Sequence, residues 1–172
     1  TDERCLLPKE LWAKDEDYLW YSTGNSGFYT DLKNGYLGEG TLHSRYIRGA
    51  TGGKPFTLGK YEGTRIRAAI GELIANGGAP MGFYTRYTDP NARQVITQYY
   101  QFIRRHRHIY HHNQTAAANL LLFPRTAVHQ GNVAAVQQFL KLGDRLLDRH
   151  VLFDILPDDL ATPEALGKYT TV

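Results

Sequence analysis

The chain has 172 residues, 42% of them hydrophobic and 22% charged, with a formal net charge of +3. This composition excludes a disordered or collagen-like chain. The mild basic excess, gathered at Arg104, Arg105, Arg107 and the histidines around them, is not the broad basic face of a nucleic-acid binder. With one cysteine, Cys5, no intrachain disulfide can form. No N-terminal run has the basic, apolar and small-residue order of a signal peptide, and the longest apolar stretch, Ala116 to Phe123, is far too short to span a bilayer.

Residues 1–53 are the least regular part. Leu6-Leu7-Pro8 and Trp12 read as a loop with a short helical turn, and Tyr18-Leu19-Trp20-Tyr21-Ser22 as a short aromatic strand. The stretch from Gly24 to Gly40 is rich in glycine and broken by Phe28, Tyr29 and Tyr36, which predicts irregular backbone. Thr41 caps a short helix through Arg48, and Gly49 ends it.

From residue 54 a strand–helix rhythm sets in. Pro55 to Tyr61 is a strand, and Thr64 caps a helix with Ile66, Ala69, Ile70, Leu73 and Ile74 at helical spacing, stopped by Asn76-Gly77-Gly78. Pro80 to Tyr84 is the next strand. Asp89 then caps a long helix with Pro90 at its first position and a stripe of Val95, Ile96, Tyr99, Tyr100, Phe102, Ile103 and Ile109. Such alternation predicts parallel strands joined by right-handed crossovers. Asn113-Gln114-Thr115 breaks the rhythm and divides the chain into residues 1–113 and 114–172. The apolar run Asn119 to Phe123 predicts a strand buried on both faces. Asn132 caps a helix carrying Val133, Val136, Phe139, Leu140, Leu146 and Leu147, and Val151 to Leu156 is a further strand. The last residues, Lys168 to Val172, read as the opening of another.

Several phrases in this pattern resemble the β-galactosidase-like glycoside hydrolases of family 42. Gly59-Lys60-Tyr61-Glu62 before a helix, and Ala75-Asn76-Gly77-Gly78-Ala79-Pro80-Met81-Gly82-Phe83-Tyr84 after it, resemble the last two strands of that family's barrel. The Asn119 to Phe123 strand, the helix from Asn132, and Val151 to Leu156 followed by Asp158-Asp159-Leu160 resemble the start of its flavodoxin-like trimerisation domain. The resemblance covers most of residues 54–172. It implies that residues 1–113 are the C-terminal part of a (β/α)8 barrel and residues 114–172 the first half of a flavodoxin-like (Rossmann-type) domain. A complete barrel takes about 250 residues, so the chain is expected to be a fragment, inactive alone, of a retaining enzyme that forms a homo-oligomer at full length. Its expected partner is a carbohydrate substrate, with no nucleic acid, membrane or cofactor.

The resemblance places the nucleophile at the end of the seventh barrel strand, which Glu62 matches, and the acid/base on an earlier strand outside this chain. Retaining glycosidases hold these two carboxyl groups about 5–5.5 Å apart. The bland alternative is a glutamate favoured at a helix start by the macrodipole. Tyr84, Arg86 and Tyr87 follow the next strand. Flat aromatic faces suit sugar rings, and an arginine suits a hydroxyl or carboxylate. Trp20 is a weaker candidate for sugar contact, with a core role as its alternative. Glu72 is expected to face solvent on its helix. His108 and His112, four apart, are placed on one helix face; without an interleaved carboxylate and among three arginines, they read as a basic helix end and not a metal site. The turn from Pro124 to Gly131 lacks a glycine-rich phosphate cradle, so the second domain is read as structural or oligomer-forming. The rival to the enzyme is a non-catalytic interaction or oligomerisation module with a flavodoxin-like fold.

Overall fold

The computed structural model describes residues 15–22, 38–59, 66–80 and 90–172. It is a mixed α/β structure with short parallel sheets. The chain divides into two compact units: one contains Tyr18–Ser44 and Pro55–Gln114, the other Arg45–Lys54 and Thr115–Val172.

The first unit holds a three-stranded parallel sheet of β1 (Leu19–Ser22), β2 (Phe56–Gly59) and β3 (Ala79–Pro80), in that order. Leu19 pairs with Phe56, and Thr57 with Ala79. The parallel pairing of β2 with β3 follows from the strand–helix rhythm of the sequence. Helix α1 (Glu39–Ala50) lies between β1 and β2 in the chain, and α2 (Ile66–Ala75) between β2 and β3. The Asn76-Gly77-Gly78 stop takes the form expected of a helix end: Gly78 donates to the Leu73 carbonyl at 2.8 Å and Gly77 to that of Ile74 at 3.1 Å. The apolar stripe of α2 buries Ile70 and Ile74. Ile96, Tyr99 and Ile103 of α3 (Pro90–Arg105), with Tyr110 of α4 (Arg107–Tyr110), pack against them.

Two expectations are corrected here. Glu72 does not face solvent. Its half-buried carboxylate accepts the backbone N–H of Thr41 at 2.6 Å and that of Gly38 at 3.3 Å, and so satisfies orphan donors at the start of α1. Gly40 leaves room for it, since a Cβ there would stand 2.7 Å from Glu72 Oε2. Nor do His108 and His112 share a helix face. The helix ends at Tyr110, and His112 lies beyond it with a φ of 57°.

The second unit holds β4 (Asn119–Phe123) and β5 (Phe153–Pro157), parallel and in register from Asn119↔Phe153 to Phe123↔Pro157. Thr171 bridges Asn119 in parallel, and its carbonyl accepts from Leu120 N at 2.8 Å; the segment read as the opening of a strand forms this single bridge and no strand. Helices α5 (Arg125–His129) and α6 (Ala134–Asp148) connect the strands. A 3-10 turn at Asp158–Leu160 and α7 (Pro163–Leu166) follow. Helix α6 begins at Ala134 without a side-chain cap; Asn132 instead donates its backbone N–H to the Ala127 carbonyl. Phe123 is wholly buried, with the Phe139 ring edge-on at 5.0 Å and the Tyr46 ring at 4.7 Å.

Among the described residues β5 pairs only with β4, which makes it an edge strand. The second half of α1 covers that edge. Arg45 Nη1 donates to the Phe153 carbonyl at 2.8 Å, and its guanidinium lies 4.5 Å from the Phe153 ring centroid. Gly49 lies directly against the carbonyl of Ile155, two residues on and therefore pointing the same way. A Cβ at Gly49 would stand 1.9 Å from that oxygen. Helix propensity alone favours Gly→Ala by about 1 kcal/mol, but here helix and strand must be forced apart. Gly49→Ala is therefore expected to destabilise by about 2–3 kcal/mol. Denaturant unfolding measures the sign, and a stabilised variant would remove the close approach.

Candidate functional site

Because β1, β2 and β3 are parallel, their C-terminal ends at Ser22, Gly59 and Pro80 share one edge of the sheet. The chain segments that follow these ends carry the residues singled out from sequence. Glu62 is the third residue after Gly59, and Tyr84, Arg86 and Tyr87 come shortly after Pro80. All four lie outside the described residues. Trp20 is in β1, where it pairs with Thr57.

The strand ends of the second unit are tied to each other. Asp158, just past β5, accepts from both the backbone N–H and the hydroxyl of Thr126 at 3.0 Å. Asp159 receives the buried Arg125 guanidinium through Nε, at 2.8 and 2.9 Å, and through Nη2. Burial works to lower the Arg125 pKa. The Asp159 carboxylate and, after it, Tyr46 more than offset this, so the net shift is upward. In doubly wound sheets, ligands occupy the crevice beyond the carboxyl ends of the strands. Here that place is crossed by bonds between the chain's own side chains.

Beside β5 the second unit also has a half-open cavity of about 530 Å3. Arg45 and Arg48 reach it from α1, Asp154 from β5, and Lys168 and Tyr169 from the C-terminal segment. Asp154 accepts from the Thr115 hydroxyl at 2.7 Å and the Tyr169 hydroxyl at 2.9 Å. Burial lowers the pKa of Arg45, and the charge of Asp154 opposes that shift. Sequence reading missed this group. Arg45 and Arg48 are three apart on one helix face, but nothing local joins them to residues more than a hundred positions later. Among the described residues, no group of three His, Cys, Asp or Glu side chains is placed to hold a metal ion, and no helix is long and apolar enough to cross a membrane.

Tyr169 supplies a pH prediction. Burial first, then the hydrogen bond to Asp154 and the charge of that carboxylate, push its phenol up to about 12 from an ordinary 10.0, against a smaller opposing effect of Arg48. A raised folded-state pKa gives stability that is complete below pH 10 and is lost as pH rises through about 12. The melting temperature should therefore fall across that window more steeply in the wild type than in Tyr169→Phe. Parallel curves would show that the phenol is not held by Asp154.

Comparison with protein-family models, curated proteins and solved structures finds no match.

Proposed function

We propose that this chain is the closing part of a glycosidase barrel joined to the start of a flavodoxin-like domain, from a retaining β-galactosidase-like enzyme. One observation carries the reading: three parallel strands present their C-terminal ends on a single edge. In barrels that edge holds the active site, and the chain leaves it toward Glu62 after β2 and toward Tyr84, Arg86 and Tyr87 after β3.

In this reading Glu62 attacks the anomeric carbon and forms a glycosyl-enzyme, which water then resolves. A second carboxyl group, on a strand outside this chain, protonates the leaving oxygen and then activates the water. Tyr84 and Tyr87 offer ring faces to the sugar, and Arg86 fixes a hydroxyl. The second unit serves assembly. The Thr126–Asp158 and Arg125–Asp159 bonds across its strand ends favour a structural over a cofactor-binding role. The test is hydrolysis of an aryl β-galactoside by the full-length protein, with the anomer of the first-formed product read by NMR. The reading predicts turnover with retention; inversion, or no turnover of any aryl glycoside, would overturn it.

A further inference from the structure

Asn76-Gly77, at the end of α2, sets a side-chain carboxamide next to a backbone nitrogen able to attack it. In an Asn-Gly step the attack meets little hindrance, because glycine has no Cβ and its backbone turns freely. Asn34-Gly35 is the other such pair in the sequence. The fold itself calls for both residues at 76 and 77. Gly77 has a φ of 83°, the left-handed conformation that closes a helix and suits glycine. Asn76 reaches back from the helix end, and its Nδ2 donates to the Glu72 carbonyl at 2.7 Å and to the Thr41 hydroxyl at 3.3 Å. The Glu72 carboxylate in turn accepts from the backbone N–H groups of Thr41 and Gly38. Glu72 and Asn76 together clasp the start of α1 to the end of α2. While the clasp is closed both reacting groups are engaged: Gly77 donates its N–H to the Ile74 carbonyl at 3.1 Å, and the carboxamide is tied to Glu72 and Thr41.

We propose that Asn76 is a deamidation site guarded by this clasp: it reacts in molecules whose α1–α2 contact has opened, and its product weakens the contact afterwards. In the reaction the Gly77 nitrogen bonds to Asn76 Cγ, the Cγ–Nδ2 bond breaks, and the Gly77 amide proton leaves with Nδ2 as ammonia. Water then adds to either carbonyl of the succinimide and breaks its bond to the Gly77 nitrogen, which regains a proton; aspartate or isoaspartate results. Either product is a carboxylate with no N–H to donate. An aspartate oxygen would face the Glu72 carbonyl oxygen from the place where Nδ2 stands at 2.7 Å. It would also put a negative charge at the C-terminal end of α2, where the helix dipole disfavours one. Isoaspartate further inserts a methylene into the main chain. The change is therefore an irreversible mark left on molecules that have opened.

The test is incubation of the 172-residue chain in mildly alkaline buffer, with and without guanidinium chloride, and peptide mass spectrometry of residue 76 over time. In denaturant Asn76 should deamidate alongside Asn34, which serves as the internal control. In the folded chain Asn76 should react about tenfold or more slowly than in denaturant, because only the opened fraction is reactive. Glu72→Ala should speed the folded-state reaction about fivefold, the scale on which loss of a helix cap acts, and leave the rate in denaturant unchanged. Circular dichroism confirms that the variant is folded, and the wild-type comparison stands without it. Asn76→Asp, the product itself, should unfold at a lower denaturant concentration than the uncharged Asn76→Ser. Equal rates in folded and denatured wild type, an Asn76 inert in denaturant while Asn34 reacts, a folded-state rate indifferent to Glu72→Ala, or equal midpoints for Asn76→Asp and Asn76→Ser would each overturn the proposal.

Discussion

Asp159→Ala is expected to destabilise the second unit by about 3 kcal/mol, near the lower end of the cost of breaking a buried ion pair. The Arg125 side chain is 1% exposed and Asp159 is 30% exposed, so the variant leaves a charge in the interior while removing one from its margin. The partial exposure of Asp159 lets water replace some of the lost attraction, which sets the lower figure. Tyr46 remains beside the guanidinium, but its effect there is smaller than that of Asp159. Replacing both partners tells the cost of an orphaned charge from the worth of the pair. Arg125→Met with Asp159→Leu should recover most of the loss, because apolar residues of similar volume often match a buried pair. Urea midpoints at constant slope measure both variants. A loss under about 1 kcal/mol for Asp159→Ala would mean that the guanidinium reaches water.

Under the proposed glycosidase reading, Glu62→Gln in the full-length protein is expected to cut kcat by about a thousandfold or more, the scale on which removal of a catalytic group acts. Glutamine keeps the size and much of the hydrogen bonding of the side chain but cannot form the glycosyl ester. In that reading substrate binding is assigned to Tyr84, Arg86 and Tyr87, so KM should change little. Tyr84→Ala should give the opposite pattern, a raised KM with a smaller loss of kcat. Both follow from aryl-glycoside kinetics. Near-equal kcat for Glu62→Gln would return the residue to its bland role as a charge before a helix.

Legibility in the sequence followed locality. The strand Asn119 to Phe123 is found where its apolar run predicts it, with Leu120, Leu121 and Phe123 all buried. Helix α3 starts at Pro90 as a proline in the first turn suggests, but the helical stretch breaks at His106, which donates to the Phe102 carbonyl and accepts a 3-10-type bond from Ile109. The strand read from Val151 begins at Phe153, because Val151 still donates back to Leu146 and closes the end of α6. The start of α1 at Glu39, ahead of Thr41, depends on Glu72, a partner 31 residues away, and no local signal announces it. The same holds for the cavity, which exists because Arg45, Asp154 and Lys168 meet only after the chain has folded. The turn from Pro124 to Gly131 was read from its lack of glycines, and that lack gives no hint that Arg125 inside it lies in a short helix and pairs with Asp159.

Arg45 is made 108 residues before the strand whose edge it covers. At the roughly 5–20 residues per second of synthesis, α1 exists for on the order of 5–20 s before β5 leaves the ribosome. When β5 does emerge, its cover is already present, and the carbonyls of Phe153 and Ile155 need wait only for docking. A chain refolding from denaturant has no such ordering. It must close the same long loop by diffusion, while β5 offers unpaired groups to any neighbouring chain. Losses to aggregation should therefore grow with protein concentration during refolding in the tube, while vectorial synthesis largely avoids them.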